Sequence, residues 1–181
     1  IFFNHHIMIR LAILGATGMA GREALLHQQY LDSIGLQYAE ITCVTASPRN
    51  KGNLLGEVVA HKEEALVQAY PFWDPMSCPE NLMELVLDGT DPDLIASKAD
   101  YAISALDSDI SDRLEPALRL RGVNIFSNSS SFRWNPSVPL LIPEVNADDI
   151  DMVNAQHGGV QVCNPNCTTA IAAIPLFQIY K

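Results

Sequence analysis

An apolar run, Ile9–Leu14, passes straight into Gly15-Ala16-Thr17-Gly18-Met19-Ala20-Gly21, and a helix-forming stretch to about Gln29 follows at once. A short, continuously apolar segment closed by glycine reads as a strand buried on both faces. Glycine allows the tight turn into the helix and lets an anion approach the backbone. The helix start then offers free N–H groups and a partial positive charge. Strand, GxxGxxG and helix in this order are a variant of the GxGxxG dinucleotide fingerprint, and the flanking elements carry more weight than the string itself. A glycine turn without a ligand is the bland alternative. The cofactor contacts expected in this loop are Gly15, Thr17, Gly18, Met19 and Gly21.

The rest of the chain repeats the alternation. Strands are predicted at 39–45, 101–106 and 123–127, with short ones at 140–142 and 160–163 and a weaker candidate at 83–87. A helix is predicted over 110–121, with Gly122 after it. The strands are apolar throughout rather than every second residue, which is the pattern of a parallel sheet covered on both faces. The stretch 46–79 is irregular and stays unassigned. The fold class expected is α/β: a Rossmann-like, doubly wound, mostly parallel sheet, followed by the truncated start of a second, catalytic domain. Residues 1–7 read as a leader or an expression remnant before Met8, residues 8–165 as the nucleotide-binding domain, and residues 166–181 as the start of the next.

Composition narrows the partners. Hydrophobic residues make up 48% of the 181, enough for a sizeable core, and no apolar run has membrane-spanning length. A net charge of -10 argues against a nucleic-acid partner, since phosphate backbones need a basic surface. With no convincing signal peptide, a cytoplasmic protein is expected.

The segment after the second strand selects the nucleotide. An NAD site places Asp or Glu there for the ribose 2′-hydroxyl. Here Ser47-Pro48-Arg49-Asn50-Lys51 follows, with no acid. Ser47 can donate a hydrogen bond, and Arg49 and Lys51 supply charge for a 2′-phosphate, in a chain with only 11 Lys+Arg. That favours NADP over a merely solvated basic loop.

Four cysteines are present. Cys43 and Cys163 sit in apolar strands and read as core, and Cys78 is a loop thiol without a role. Cys163 and Cys167 lack the second pair that a zinc site would want, so no metal is expected. Cys167 lies between Asn166 and Thr168-Thr169, before the apolar stretch from Ala170 to Ile174. A predicted helix start favours the thiolate, and the neighbouring Asn and Thr groups could hold an oxyanion. On these residues alone, a nucleophile and a buried small hydrophobe remain equal readings.

Taken together, Gly15–Gly21, Ser47-Pro48-Arg49, Ser104-Ala105-Leu106 with Asp107-Ser108, the block from Ser127 to Arg133 with Val138 to Asn146, and Asn164-Pro165-Asn166-Cys167-Thr168-Thr169 resemble aspartate-semialdehyde dehydrogenase of the archaeal and fungal type. The resemblance runs from Met8 to the last residue and implies an N-terminal portion. It implies NADP as cofactor, an acyl phosphate or aldehyde as small-molecule substrate together with phosphate, and a homo-oligomer (dimer or tetramer) at full length. It implies Cys167 and Asn166 in catalysis, Arg133 and Asn128 in substrate binding, and Ser104, Ala105, Leu106 and Ser130 beside the cofactor. The family's histidine base and carboxylate-binding arginine have no counterpart, because no histidine follows Cys167. Little turnover is therefore expected from this chain alone. Malonyl-CoA reductase and N-acetyl-glutamyl-phosphate reductase use the same thioester logic and remain rivals, as does a non-catalytic NADP-binding module. A short-chain reductase is ranked low, because no Tyr-x-x-x-Lys occurs.

Overall fold

The computed structural model describes residues 8–70 and 78–180, so the expectation for residues 1–7 lies outside the described residues. Five strands form one parallel sheet in the order β2-β1-β3-β4-β5: β1 Ile9–Leu14, β2 Ala39–Val44, β3 Tyr101–Ser104, β4 Asn124–Ser127 and β5 Gln161–Cys163. Helix α1, Met19–Ser33, connects β1 to β2, and α2, Leu55–Ala69, follows β2. Then come α3, Pro92–Lys98, and α4, Ser108–Arg119. A single turn, α5, Pro143–Asn146, runs into a 3-10 segment, Ala147–Ala155, and α6, Cys167–Tyr180, follows β5.

Strand alternation explains the two-sided core. In β1, Leu11 and Ile13 join a cluster with Leu25 of α1 and Leu55 and Val59 of α2. Ala12 and Leu14 face the other way, against Ile95 of α3 and Leu114 and Leu118 of α4. Both faces of β1 are thus dry, which is why its sequence shows no polar alternation. Truncating Ile13, which is fully buried, to Ala would cost about 2–5 kcal/mol, the range for large-to-small core changes.

Three expectations need correction. The unassigned stretch contains the 15-residue helix α2. Its buried face is Leu55, Gly56, Val59 and Glu63, so a carboxylate interrupts the apolar stripe. Residues 140–142 form no strand; Leu140 makes one isolated bridge to Cys163, and the turn α5 begins at Pro143. The weaker candidate at 83–87 forms no strand: within it only Val86 makes an isolated bridge, to Leu54, and Asp88 just after it bridges to Thr45. Asp88 N donates to Val44 O and Ala46 N to Asp88 O, so the end of this segment lies beside the end of β2.

Chain order reverses between β1 and β3, the strand pair at the centre of the sheet. In an open parallel sheet this switch point opens a crevice above the carboxyl ends of the strands. The glycine loop, the 104–108 segment, the serine loop after β4 and the segment after β5 all leave the sheet at that end.

Candidate active site

The glycine loop is built from backbone. Gly15 has φ +79, and a Cβ there would lie 2.6 Å from Ala105 O. A Cβ on Gly21 would collide with Gly15 O and sit 2.8 Å from Ala16 Cα. Only glycine lets α1 start so close to the loop that precedes it. The loop is tied to β2, because Gly15 N donates to Thr45 Oγ1 at 3.1 Å and Ala16 N to Thr45 O at 2.9 Å. Gly18 is the N-cap residue of α1, and no side-chain cap or acidic residue claims the first turn. Its N–H groups and positive end are therefore free to meet an anion.

Thr17 is buried and held by a residue that sequence reasoning missed: Lys62 Nζ reaches Thr17 O at 2.7 Å. Lys62 comes from α2, so nothing local in the sequence announces the contact. Met19 is exposed. Ser47 and Arg49 flank or sit in a 3-10 turn, Pro48–Asn50, directly after β2, and both are exposed. Lys51 follows but lies across Gly89, where a built Cβ would meet its Cδ at 3.2 Å.

At the end of β3, Ala105 N donates to Leu14 O, which brings 104–106 against the glycine loop. Ser104 is buried, while Ala105 and Leu106 are half-buried. Ser130 meets Ser108 at the start of α4, Oγ to Oγ at 2.9 Å. The serine loop is anchored from below by a buried carboxylate. Glu115 of α4 accepts from Ser127 Oγ at 2.8 Å and from Gln161 Nε2 at 2.6 Å. Ser104 and Ser111 lie beside it, outside hydrogen-bond geometry. Burial pushes the Glu115 carboxyl above its ordinary range, and the serine hydroxyls oppose the rise. Ser127 Oγ in turn accepts from Ser129 N, and Ser127 O from Asn164 N at 2.8 Å.

Arg133 joins the two loops. Its Nε donates to Asn164 O at 3.0 Å and its Nη2 to Asn128 O at 2.7 Å. Asn164 Nδ2 also donates to Asn128 Oδ1 at 2.8 Å. A guanidinium has five N–H donors, so Arg133 keeps donors for a ligand after making this clamp. Asn164, absent from the sequence-predicted set, is the hub where the two loops meet.

Cys167 is the first residue of α6 and is exposed. Asn166 caps the helix: its Oδ1 accepts from Thr168 N at 3.0 Å, and its carbonyl from Ala170 N. The other thiols differ. Burial, then the neighbouring Asp88, pushes Cys43 up to about 12, and burial, then Glu115, pushes Cys163 to about 11. Cys78 is raised by burial too. Cys167 opens onto a cavity of about 490 Å³ whose walls include Asn128, Arg133, Asn164, Asn166 and, across it, Ala20 in the first turn of α1. Cys167 and the first turn of α1 therefore line one space. Among the described residues, no histidine lines that cavity, and no group of three or more His, Cys, Asp and Glu is placed to hold a metal.

A parallel sheet with a glycine loop at its switch point, opening a helix, defines a dinucleotide-binding domain of the Rossmann kind; here it ends in an exposed helix-start cysteine. Residues 10–153 match the family model described as semialdehyde dehydrogenase, NAD binding domain, and the chain belongs to that family. It is 32% identical over 178 residues to an aspartate-semialdehyde dehydrogenase of Methanothermobacter thermautotrophicus, a match covering 96% of this chain and 46% of that protein. It is 33% identical over 173 residues to one of Trichophyton rubrum, covering 92% of this chain and 43% of the relative. The solved structure of the Candida albicans aspartate-semialdehyde dehydrogenase with NADP superposes with TM-score 0.76 at 24% identity, over 95% of this chain and 46% of that one, and supports the fold. The chain spans just under half the length of these relatives.

Proposed function

We propose that this chain is the cofactor-binding and nucleophile-bearing portion of an NADP-dependent aspartate-semialdehyde dehydrogenase, interconverting 4-aspartyl phosphate and aspartate 4-semialdehyde with release or uptake of phosphate. The observation that carries the proposal is the shared cavity: Cys167 and Ala20, at the anion-attracting start of α1, line the same space. In the reductive direction the Cys167 thiolate attacks the acyl carbon, the bond to the phosphate oxygen breaks, phosphate departs, and a thioester forms. A thiolate suits both halves of such a reaction, being a good nucleophile and a good leaving group. Bound NADPH supplies the hydride that takes the acyl group to the aldehyde level.

The residues present fit the cofactor. The first turn of α1 carries no side-chain cap, and Arg49 stands where an NAD site would carry an acid. The Candida albicans enzyme was solved with NADP, in line with this choice. Asn128 and Arg133 would present the substrate phosphate to Cys167, with Asn166 fixing the helix start. Rival acylating reductases use the same thioester logic, and the names of the relatives favour the aspartyl substrate. We place the reaction in lysine, threonine and methionine biosynthesis, in the cytoplasm, in a homo-oligomer.

Residues 166–181 read as the beginning of the catalytic domain. Helix α6 has no buried residue, and Ile171, Leu176 and Ile179 are exposed on it. A helix apolar all round belongs inside a larger core. Among the described residues no histidine lines the cavity, and on this reading the chain holds cofactor and thiol but turns over little. Acyl transfer is the step that tests the reading. Incubation with 4-aspartyl phosphate should place one hydroxylamine-labile acyl group on Cys167, seen by intact mass and peptide mapping and lost in Cys167→Ser. A chain that alkylates at Cys167 yet takes no acyl group under the same conditions contradicts the assignment. So does robust phosphate-dependent turnover without Cys167.

A further inference from the structure

Helix α2 delivers a cation to the back of the glycine loop. Lys62 Nζ donates to Thr17 O at 2.7 Å and to Thr17 Oγ1 at 3.0 Å. An ammonium has three N–H donors, so one is left over. Burial, then the like charges of Arg22 and Arg49, lowers the pKa of Lys62. Of these two neighbours, Arg22 is neutralised by Glu63 in a buried ion pair. Arg49 takes part in no ion pair among the described residues.

Lys62 and Arg49 also line one cavity of about 540 Å³, together with Asn50, Asn53, His61 and the exposed Glu57. Lys51 lies across Gly89 and is not among the residues that line it. The position of this cavity is informative. The pyrophosphate of a dinucleotide sits at the start of the first helix, and the adenosine ribose at the end of the second strand. Lys62 touches the glycine loop, and Arg49 follows β2, so the two cations flank the space between those subsites.

We propose that Lys62, rather than Lys51, joins Arg49 in receiving the 2′-phosphate of the cofactor, with Thr17 presenting the lysine. This rests on the NADP reading and names the residues that discriminate NADP from NAD. Two like charges held close repel each other until a dianion arrives between them. A phosphate carries about −1.5 to −2 charge near neutral pH, so it relieves that repulsion, whereas a plain 2′-hydroxyl does not. Selectivity follows from the difference.

Calorimetric titration of the full chain with NADP and with NAD tests this. Wild type should prefer NADP. Lys62→Gln should weaken NADP by about tenfold more than it weakens NAD, the loss of a charge-assisted bond that only the 2′-phosphate makes. Lys62→Arg should keep the preference, and Lys51→Gln should change neither ligand by more than about threefold. Circular dichroism confirms that each variant is folded. Equal losses for NADP and NAD in Lys62→Gln would mean that the lysine only braces the glycine loop, and the proposal is overturned. A larger loss in Lys51→Gln overturns it as well. A wild-type chain that binds NAD but not NADP overturns the cofactor reading itself, a result distinct from the other two.

Discussion

Replacing Glu115 separates its two roles, holding up the site and carrying a buried charge. In Glu115→Ala the Ser127 hydroxyl and the Gln161 amide both lose their acceptor in the interior. Each stranded buried donor costs about 1–3 kcal/mol, so the variant should lose about 2–6 kcal/mol. That is a large share of the roughly 5–15 kcal/mol that holds a domain folded. Glu115→Gln should behave otherwise. Its carbonyl can still accept from Ser127, and its new amide can donate to Gln161 Oε1, which is buried without a partner, once the Gln161 amide flips. The change should lie within about 1 kcal/mol at mildly acid pH. The sign of the pH dependence follows from burial, which raises the Glu115 carboxyl pKa in the folded state. Its stabilising neutral form is fully present below the unfolded value of about 4.3, and that stability is lost as pH rises through the folded pKa. Glu115→Gln removes this titration, so its stability relative to wild type should improve as pH rises from about 4 through the folded pKa of Glu115 and then level off. Urea denaturation of wild type and both variants between pH 4 and 8 reads the difference and cancels the other carboxylates. A Gln variant as damaged as the Ala variant, or a difference that does not change with pH, would refute the reasoning.

Gly21→Ala forces a Cβ into Gly15 O, so the variant must shift α1 away from the loop; dinucleotide affinity by titration should fall about 100-fold or more, with a lower thermal midpoint. Arg133→Lys keeps the charge but cannot hold Asn164 O and Asn128 O with one planar fork, so acyl transfer to Cys167 should slow by about tenfold while NADP affinity is unchanged. A normal acylation rate in that variant would show that the two loops keep their places without the clamp.

Much of the architecture was legible because a few residues have only one structural use. The run in β1 could be read because both of its faces are covered, and Gly15 and Gly21 mark the one junction where backbone must approach backbone. The strands expected at 101–106 and 123–127 form as Tyr101–Ser104 and Asn124–Ser127, so the first ends two residues early. Helix α2 was hidden because its inner stripe continues from Leu55 and Val59 into Glu63, a residue whose burial makes sense only beside Arg22 of another helix. The 140–142 run looked like a strand because it is apolar; only Leu140 bridges the sheet, and Pro143 starts a helical turn. At the site, the helix start at Cys167 was legible from the Asn before it and the apolar stretch after it, while its exposure was not, since the residues alone left a buried thiol as an equal reading. Lys62, Asn164 and Glu115 were not, since each acts through a contact between elements far apart in the chain. Arg133 was singled out through the family resemblance, and its backbone clamp became visible only in three dimensions.

The most direct measurement is the relative alkylation rate of the four thiols in the native chain. Iodoacetamide at neutral pH reacts with thiolates. At pH 7, a thiol raised to about 12 is ionised only about one part in 10⁵, and one at about 11 about one part in 10⁴; Cys43 and Cys163 are such thiols. Cys167 is exposed at a helix start and should take the label at least about 100-fold faster than either, with a rate that changes when NADP is added. Four thiols that label alike, or a Cys167 slower than the strand cysteines and indifferent to NADP, would contradict a nucleophile facing a dinucleotide crevice.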